Sequence, residues 1–109
     1  MQPLRLSIAR DFSRTPGPRH ESEGEFSGEL FYKGHLHPSF CRAREGRQKL
    51  EVDLDGTAGF ASSFLEETFG GLARDFGAAA VRDTVTIKSL EEPYLVEEIW
   101  GFVEKAEKS

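Results

Sequence analysis

The sequence predicts an α/β fold: one domain over residues 1–109, with a small, mostly parallel sheet of three to four strands and three helices. Three observations lead there. Short apolar runs with the strand period occur at three places in the chain. Helical patterns separate them, and strands that alternate with helices imply parallel pairing through right-handed crossovers. The composition, 38% hydrophobic and 30% charged, is globular rather than disordered or membrane-spanning.

Leu4-Arg5-Leu6-Ser7-Ile8-Ala9 alternates apolar and polar residues and predicts the first strand, ending at Arg10-Asp11. A polar stretch follows from Ser13 to Glu25. Its Thr15-Pro16-Gly17-Pro18 run must turn, and residues 12–26 have room for a fourth strand. Loops this long are usually functional or disordered. Ser27 is placed to cap a helix, with Glu29 at the positive end of its dipole and Phe26 and Phe31 as a hydrophobic staple. Leu30, Phe31 and Leu36 form its apolar face. Pro38 either kinks that helix or begins a second short one through Ser39–Arg44, with Gly46 as the stop.

Leu50-Glu51-Val52-Asp53-Leu54 alternates again and predicts the second strand, with Asp55-Gly56 ending it. Thr57–Ala61 is a loop of mostly small residues. Leu65, Phe69, Leu72 and Phe76 then recur on one helical face, interrupted by Gly70-Gly71 at about 1 kcal/mol per glycine and closed by Gly77. Val85-Thr86-Ile87-Lys88 is the third strand. Pro93, behind Glu91 and Glu92, opens a last helix whose wide apolar face includes Leu95, Ile99, Phe102 and Ala106.

The net charge of −5 argues against a general nucleic-acid binder, and no stretch is apolar enough to span a bilayer. The charge is uneven: residues 1–50 carry +3 and residues 51–109 carry −8. Cys41 is the only cysteine, so no intrachain disulfide forms. The first residues, broken by Arg5 and Arg10, lack a signal-peptide core. A cytoplasmic protein is therefore expected, with Cys41 as a packing residue. No cofactor is expected either. Gly56–Gly59 lacks a P-loop ending, and His35 and His37 diverge on a helix. Asp53 and Asp55 are expected to hold backbone N–H groups of the following turn, not a metal or a proton-transfer pair.

The run from Val52 through Asp53-Leu54-Asp55-Gly56-Thr57-Ala58-Gly59-Phe60-Ala61-Ser62-Ser63-Phe64 to Leu65 resembles STAS domains, the anti-sigma-factor antagonist fold. There an apolar strand, a short loop and an Asp-Ser-Ser-Gly element open a helix, and in regulatory members one serine is phosphorylated. Here Ala61 stands in the acidic position and Phe64 in that of the glycine. A closer resemblance is to a bacterial family of STAS-like proteins of unknown function. It rests on Asp11-Phe12-Ser13, Pro16-Gly17, Arg19, Ser27-Gly28-Glu29 and the block from Asp53 to Glu67. This resemblance implies a STAS-like sheet with helices packed against it and no established activity. The resemblance to STAS domains implies Ser63, with Ser62 beside it, as phosphoacceptor, and a histidine-kinase-like ATPase or anti-sigma-type regulator as partner.

Two readings of function follow. In the first the chain is a non-enzymatic regulatory domain. It binds a protein partner through Gly56, Thr57, Gly59, Phe60, Phe64 and Glu67 around the Ser62-Ser63 helix start, where N–H groups and the dipole favour a phosphate. Against it, Ser63-Phe64-Leu65-Glu66 spells a capping box, which would give the serine a purely structural task. In the second the chain is a small-molecule, nucleotide or anion-binding domain. Arg14 and Arg19 of the 10–25 loop would act beside the helix start at Ser27 and Gly28.

Overall fold

The computed structural model describes residues 2–108. Three parallel strands, β1 (Leu4–Ser7), β2 (Leu50–Asp53) and β3 (Val85–Lys88), lie in the order β1-β2-β3. Leu4 pairs with Leu50, and Leu50 with Val85. Each strand is added on the same side of the one before. Right-handed crossovers therefore lay both connecting helices on one face of the sheet. The strand side chains sort accordingly. Leu6, Leu50, Val52 and Val85 are buried beneath the helices, while Arg5, Glu51, Asp53 and Lys88 populate the opposite face. There Arg5 pairs with Glu51 at 3.2 Å and Lys88 with Asp53 at 3.8 Å, each across neighbouring strands.

β1 is shorter than its alternating pattern predicts. Ser7 ends it by capping a single turn, α1 (Ile8–Asp11), its Oγ accepting from Arg10 N at 3.1 Å. Ile8 is thus buried from a helical turn rather than from a strand. Residues 12–26 supply no fourth strand. Their only regular element is a 3₁₀ turn at Glu21–Glu23.

Helix α2, residues 28–45, starts as expected, with Ser27 Oγ accepting from Leu30 N at 3.0 Å. It is α-helical over Gly28–Phe31, π-helical over Tyr32–Leu36 and α-helical again over His37–Glu45. The π turn resolves Pro38. The proline falls in the first turn of the next α-helical stretch, where its missing N–H is tolerated, so the helix continues without a break. The staple is indirect: Phe26 meets Phe12 edge-on at 5.8 Å, and Phe12 lies 5.1 Å from Phe31. At the far end Gly46 stops the helix as expected, and the residue after it, Arg47, takes the left-handed conformation at φ 55°. An L-residue there is disfavoured by about 1–2 kcal/mol, which glycine avoids. Arg47→Gly is therefore expected to raise the unfolding free energy by about 0.5–1 kcal/mol after glycine's greater unfolded-state entropy is counted, measured by urea denaturation.

Helix α3, residues 62–76, also holds a π turn, Glu66–Gly70, between Ser62–Leu65 and Gly71–Phe76. The glycine pair inside it has a packing reason. A Cβ on Gly71 would sit 3.4 Å from the Tyr32 ring, and the Tyr32 hydroxyl bonds to Gly71 O and to Asp75. Burial above all, and then that bond to Asp75, push the Tyr32 hydroxyl pKa up. Gly77, at φ 92°, breaks the chain direction, and a helix the sequence reading lacks follows it, α4 (Ala78–Thr84). The last helix, α5 (Tyr94–Lys108), packs on α3 and α4. With α1 and α4 the helices among the described residues number five rather than three. No helix among the described residues is long and apolar enough to cross a membrane.

Candidate functional site

The loops leaving the three strands gather at their carboxyl ends, where open parallel sheets usually place their sites. Asp55 knits two of them. Its carboxylate accepts from Leu90 N at 3.1 Å and Glu91 N at 2.9 Å, while Asp53 Oδ1 accepts from Asp55 N at 2.9 Å. Asp53 thus holds an N–H group of the following turn, as expected, while Asp55 holds instead the loop after β3. Gly56, at φ 92°, gives its N–H to Glu91 at 2.7 Å, and Thr57 Oγ1 bonds back to Leu54 O at 3.3 Å. Ala58 N donates to Arg14 O at 2.8 Å, which ties the loop after β2 to the loop after β1. Gly59, at φ 138°, turns the chain toward Phe60, a half-buried ring 5.8 Å from Phe64.

α3 opens differently from its capping-box spelling. Ala61 holds the N-cap position and has no side chain with which to cap. Ser62 and Ser63 lie inside the first turn. Ser62 is exposed and gives its hydroxyl to Glu98 of α5 at 3.2 Å, and Ser63 is half-buried. Glu66, the other half of the expected box, is taken by Arg19 and by Arg74, the latter at 2.5 Å.

That ion-pair cluster joins the basic half of the chain to the acidic half. Arg19 also reaches Glu67, at 3.3 Å. Burial opposes ionisation of Glu66, but hydrogen bonds from Arg19 and Arg74 outweigh it and hold the carboxyl below its ordinary range. A carboxyl with a depressed folded-state pKa stabilises the fold above its unfolded value and loses that contribution as pH falls through the folded value. Urea stability is expected to drop more steeply in wild type than in Glu66→Gln below about pH 5. Parallel curves would remove Glu66 from the acid response.

Arg19 is thereby committed within the fold, and so are the donors of α2. Gly28 N bonds to Pro18 O at 2.8 Å, Glu29 N to Arg19 O at 2.9 Å, and Leu30 N to Ser27 Oγ. Ser27 and Gly28 are both buried. A Cβ on Gly28 would stand 3.1 Å from Phe64 O and 3.3 Å from Glu67 Cβ, so this glycine sets how closely α2 approaches α3. Arg14 lies apart from this cluster, exposed on the rim of an open cleft beside Ser7, Arg10 and Gly56.

Of the residues expected on a partner surface, Gly56, Thr57, Gly59, Phe60 and Glu67 are at least partly accessible. Phe64 is 0% exposed and supports that surface from beneath. Glu98 and Glu91 are the residues the sequence reading missed. Both come from the segment after β3, and no local pattern ties them to the 56–62 loop. No group of three or more potential metal ligands occurs among the described residues.

Comparison with known proteins gives one match. The sequence pattern of the STAS-like domains of unknown function fits residues 27–95, from the Ser27 cap to the start of α5. It includes the serine pair and its loop but leaves out β1 and the Asp11–Arg19 elements of the resemblance. No curated protein and no solved structure matches. With a three-stranded parallel sheet, its helices and a match over more than half its length, the chain belongs to the family of STAS-like domains of unknown function.

Proposed function

We propose that this domain is a non-enzymatic regulatory module. It binds a protein partner through the start of α3 and the 56–61 loop, and phosphorylation at that helix start releases the partner. The observation that supports this most is the uncapped first turn. Ala61 leaves the initial N–H groups without a side-chain acceptor, and neither serine hydroxyl is engaged as a cap. A phosphate on Ser63 would be stabilised by those N–H groups and the helix dipole. It would also add roughly −1.5 to −2 charge beside Glu67 and Glu98, changing the face a partner meets. Ser63 is the preferred acceptor, because a phosphate on Ser62 would confront the Glu98 carboxylate that its hydroxyl now contacts. The partner class is the one the resemblance suggests, a histidine-kinase-like ATPase or an anti-sigma-type regulator.

The test is to incubate the protein with such ATPases and ATP and to read phosphate on Ser63 by intact and peptide mass. Ser63→Asp is expected to weaken partner binding about tenfold, while Ser63→Ala preserves it. If no phosphate appears and neither substitution alters binding, the switch does not exist.

A further inference from the structure

A second concave site lies at the opposite edge of the sheet, where the chain enters β2 and β3. We propose that it binds a small molecule through a phosphate group. The end of α2 brings Arg44, Arg47, Gln48 and Lys49 to one wall, and the end of α4 brings Asp83 and Thr84 to the other. The cavity between them measures about 350 Å³, within the range of small-ligand clefts.

The charge of this lining runs against that of the chain. The protein carries −5 overall, yet three cations face this cavity against the single carboxylate of Asp83. Two of the cations are held in position. Arg44 Nη1 donates to Thr84 Oγ1 at 3.0 Å and to Asp83 Oδ2 at 3.3 Å, and Lys49 Nζ donates to the Asp83 carbonyl. Each keeps further N–H donors for a ligand.

The third cation, Arg47, is the telling one. It is exposed and has no ion pair or side-chain hydrogen bond among the described residues. Its backbone sits at φ 55°, where glycine is the economical choice, and a glycine is present one residue earlier. Helix termination alone gives no reason for an arginine there. A free guanidinium available at the rim beside two positioned cations does, because a strained position tends to persist where a function needs its side chain. Three cations also suit a phosphate's three terminal oxygens better than the two oxygens of a carboxylate. This site is independent of the serine pair, so either proposal can fail without the other.

The experiment follows backbone amide shifts in the intact protein during titration with inorganic phosphate and, separately, with a nucleoside monophosphate. Saturable shifts confined to residues 44–49 and 83–84 are expected with one or both. If only the monophosphate saturates, the ligand is a phosphate ester; if both do so equally, it is the free anion. Arg47→Gly, which should fold with a raised Tm, is expected to weaken binding about tenfold, and Arg47→Lys less. The proposal is overturned by an absence of saturable shifts, by equal affinity in Arg47→Gly, by citrate or chloride giving the same shifts, or by a response to single-stranded oligonucleotide alone.

Discussion

Phe64→Ala is expected to destabilise the domain by about 3–5 kcal/mol, a large share of the roughly 5–15 kcal/mol that holds such a domain together. Phe64 is fully buried in the first turn of α3. Its ring stacks near-parallel on Phe31 at 5.8 Å and lies 6.4 Å from Phe12 and 5.8 Å from Phe60. It therefore joins α2, the loop after β1 and the loop after β2 at a single point. Alanine leaves a void that the surrounding structure fills only in part. Urea denaturation should show a lower midpoint at unchanged slope, and Phe64→Leu should cost less than Phe64→Ala because it refills much of the space. A loss below about 1 kcal/mol for alanine would mean that the cluster is not the foundation of the α3 start.

Gly17→Ala is expected to cost about 1–3 kcal/mol and to loosen the clasp over α2. Gly17 N donates to Phe26 O at 2.9 Å, and a methyl group on its Cα would fall less than 3.0 Å from the Glu25 carbonyl oxygen. That oxygen belongs to the backbone and cannot swing aside as a side chain would, so the loop has to open. Opening withdraws the Pro18 and Arg19 carbonyls from Gly28 N and Glu29 N and draws Arg19 away from Glu66 and Glu67. Amide hydrogen exchange at Gly28 and Glu29 should accelerate. Gly34→Ala, whose added methyl meets nothing within 4 Å, serves as the control and should leave both amides unchanged. Unaltered exchange in Gly17→Ala would show that the loop absorbs the methyl without releasing α2.

The parts of this protein legible in its sequence are those decided by neighbours along the chain. The alternation in Leu50–Asp53, the Ser27 cap and the bond from Asp55 N to Asp53 involve local contacts or a simple period, and they appear as expected. The partners of the Asp55 carboxylate, Leu90 N and Glu91 N, lie 35 and 36 positions away, and no local pattern announces them. α4 escaped because Ala78-Ala79-Ala80 has helix propensity without an apolar period, and only the backbone turn at Gly77 separates it from α3. The capping box at Ser63 and Glu66 failed for the opposite reason. Its spelling is right, but distant Arg19 and nearby Arg74 offer Glu66 a charged partner, which a backbone N–H cannot match. Pro38 predicts a kink or the start of a second short helix because sequence shows where an α-helix loses a bond, not that a π turn can take up the slack. The uncapped helix start thus has two sources, Ala61 at the N-cap and the ion pairs that occupy Glu66, and its contact with Glu98 is likewise tertiary.

The order β1-β2-β3 also fixes how the chain assembles. Leu4 meets Leu50 and Leu50 meets Val85, so each rung of the sheet joins residues tens of positions apart, and no hairpin lets two strands meet early. Closing those long loops carries an entropic penalty before any strand pairing rewards it. The contacts between α3 and α4, which only Gly77 separates, are much closer in sequence. The α3–α4 pair is therefore expected to form before the sheet, and the longest closure, that of β1 on β2, to come last. β1 precedes β2 in the chain, so during synthesis it waits unpaired until β2 has been made.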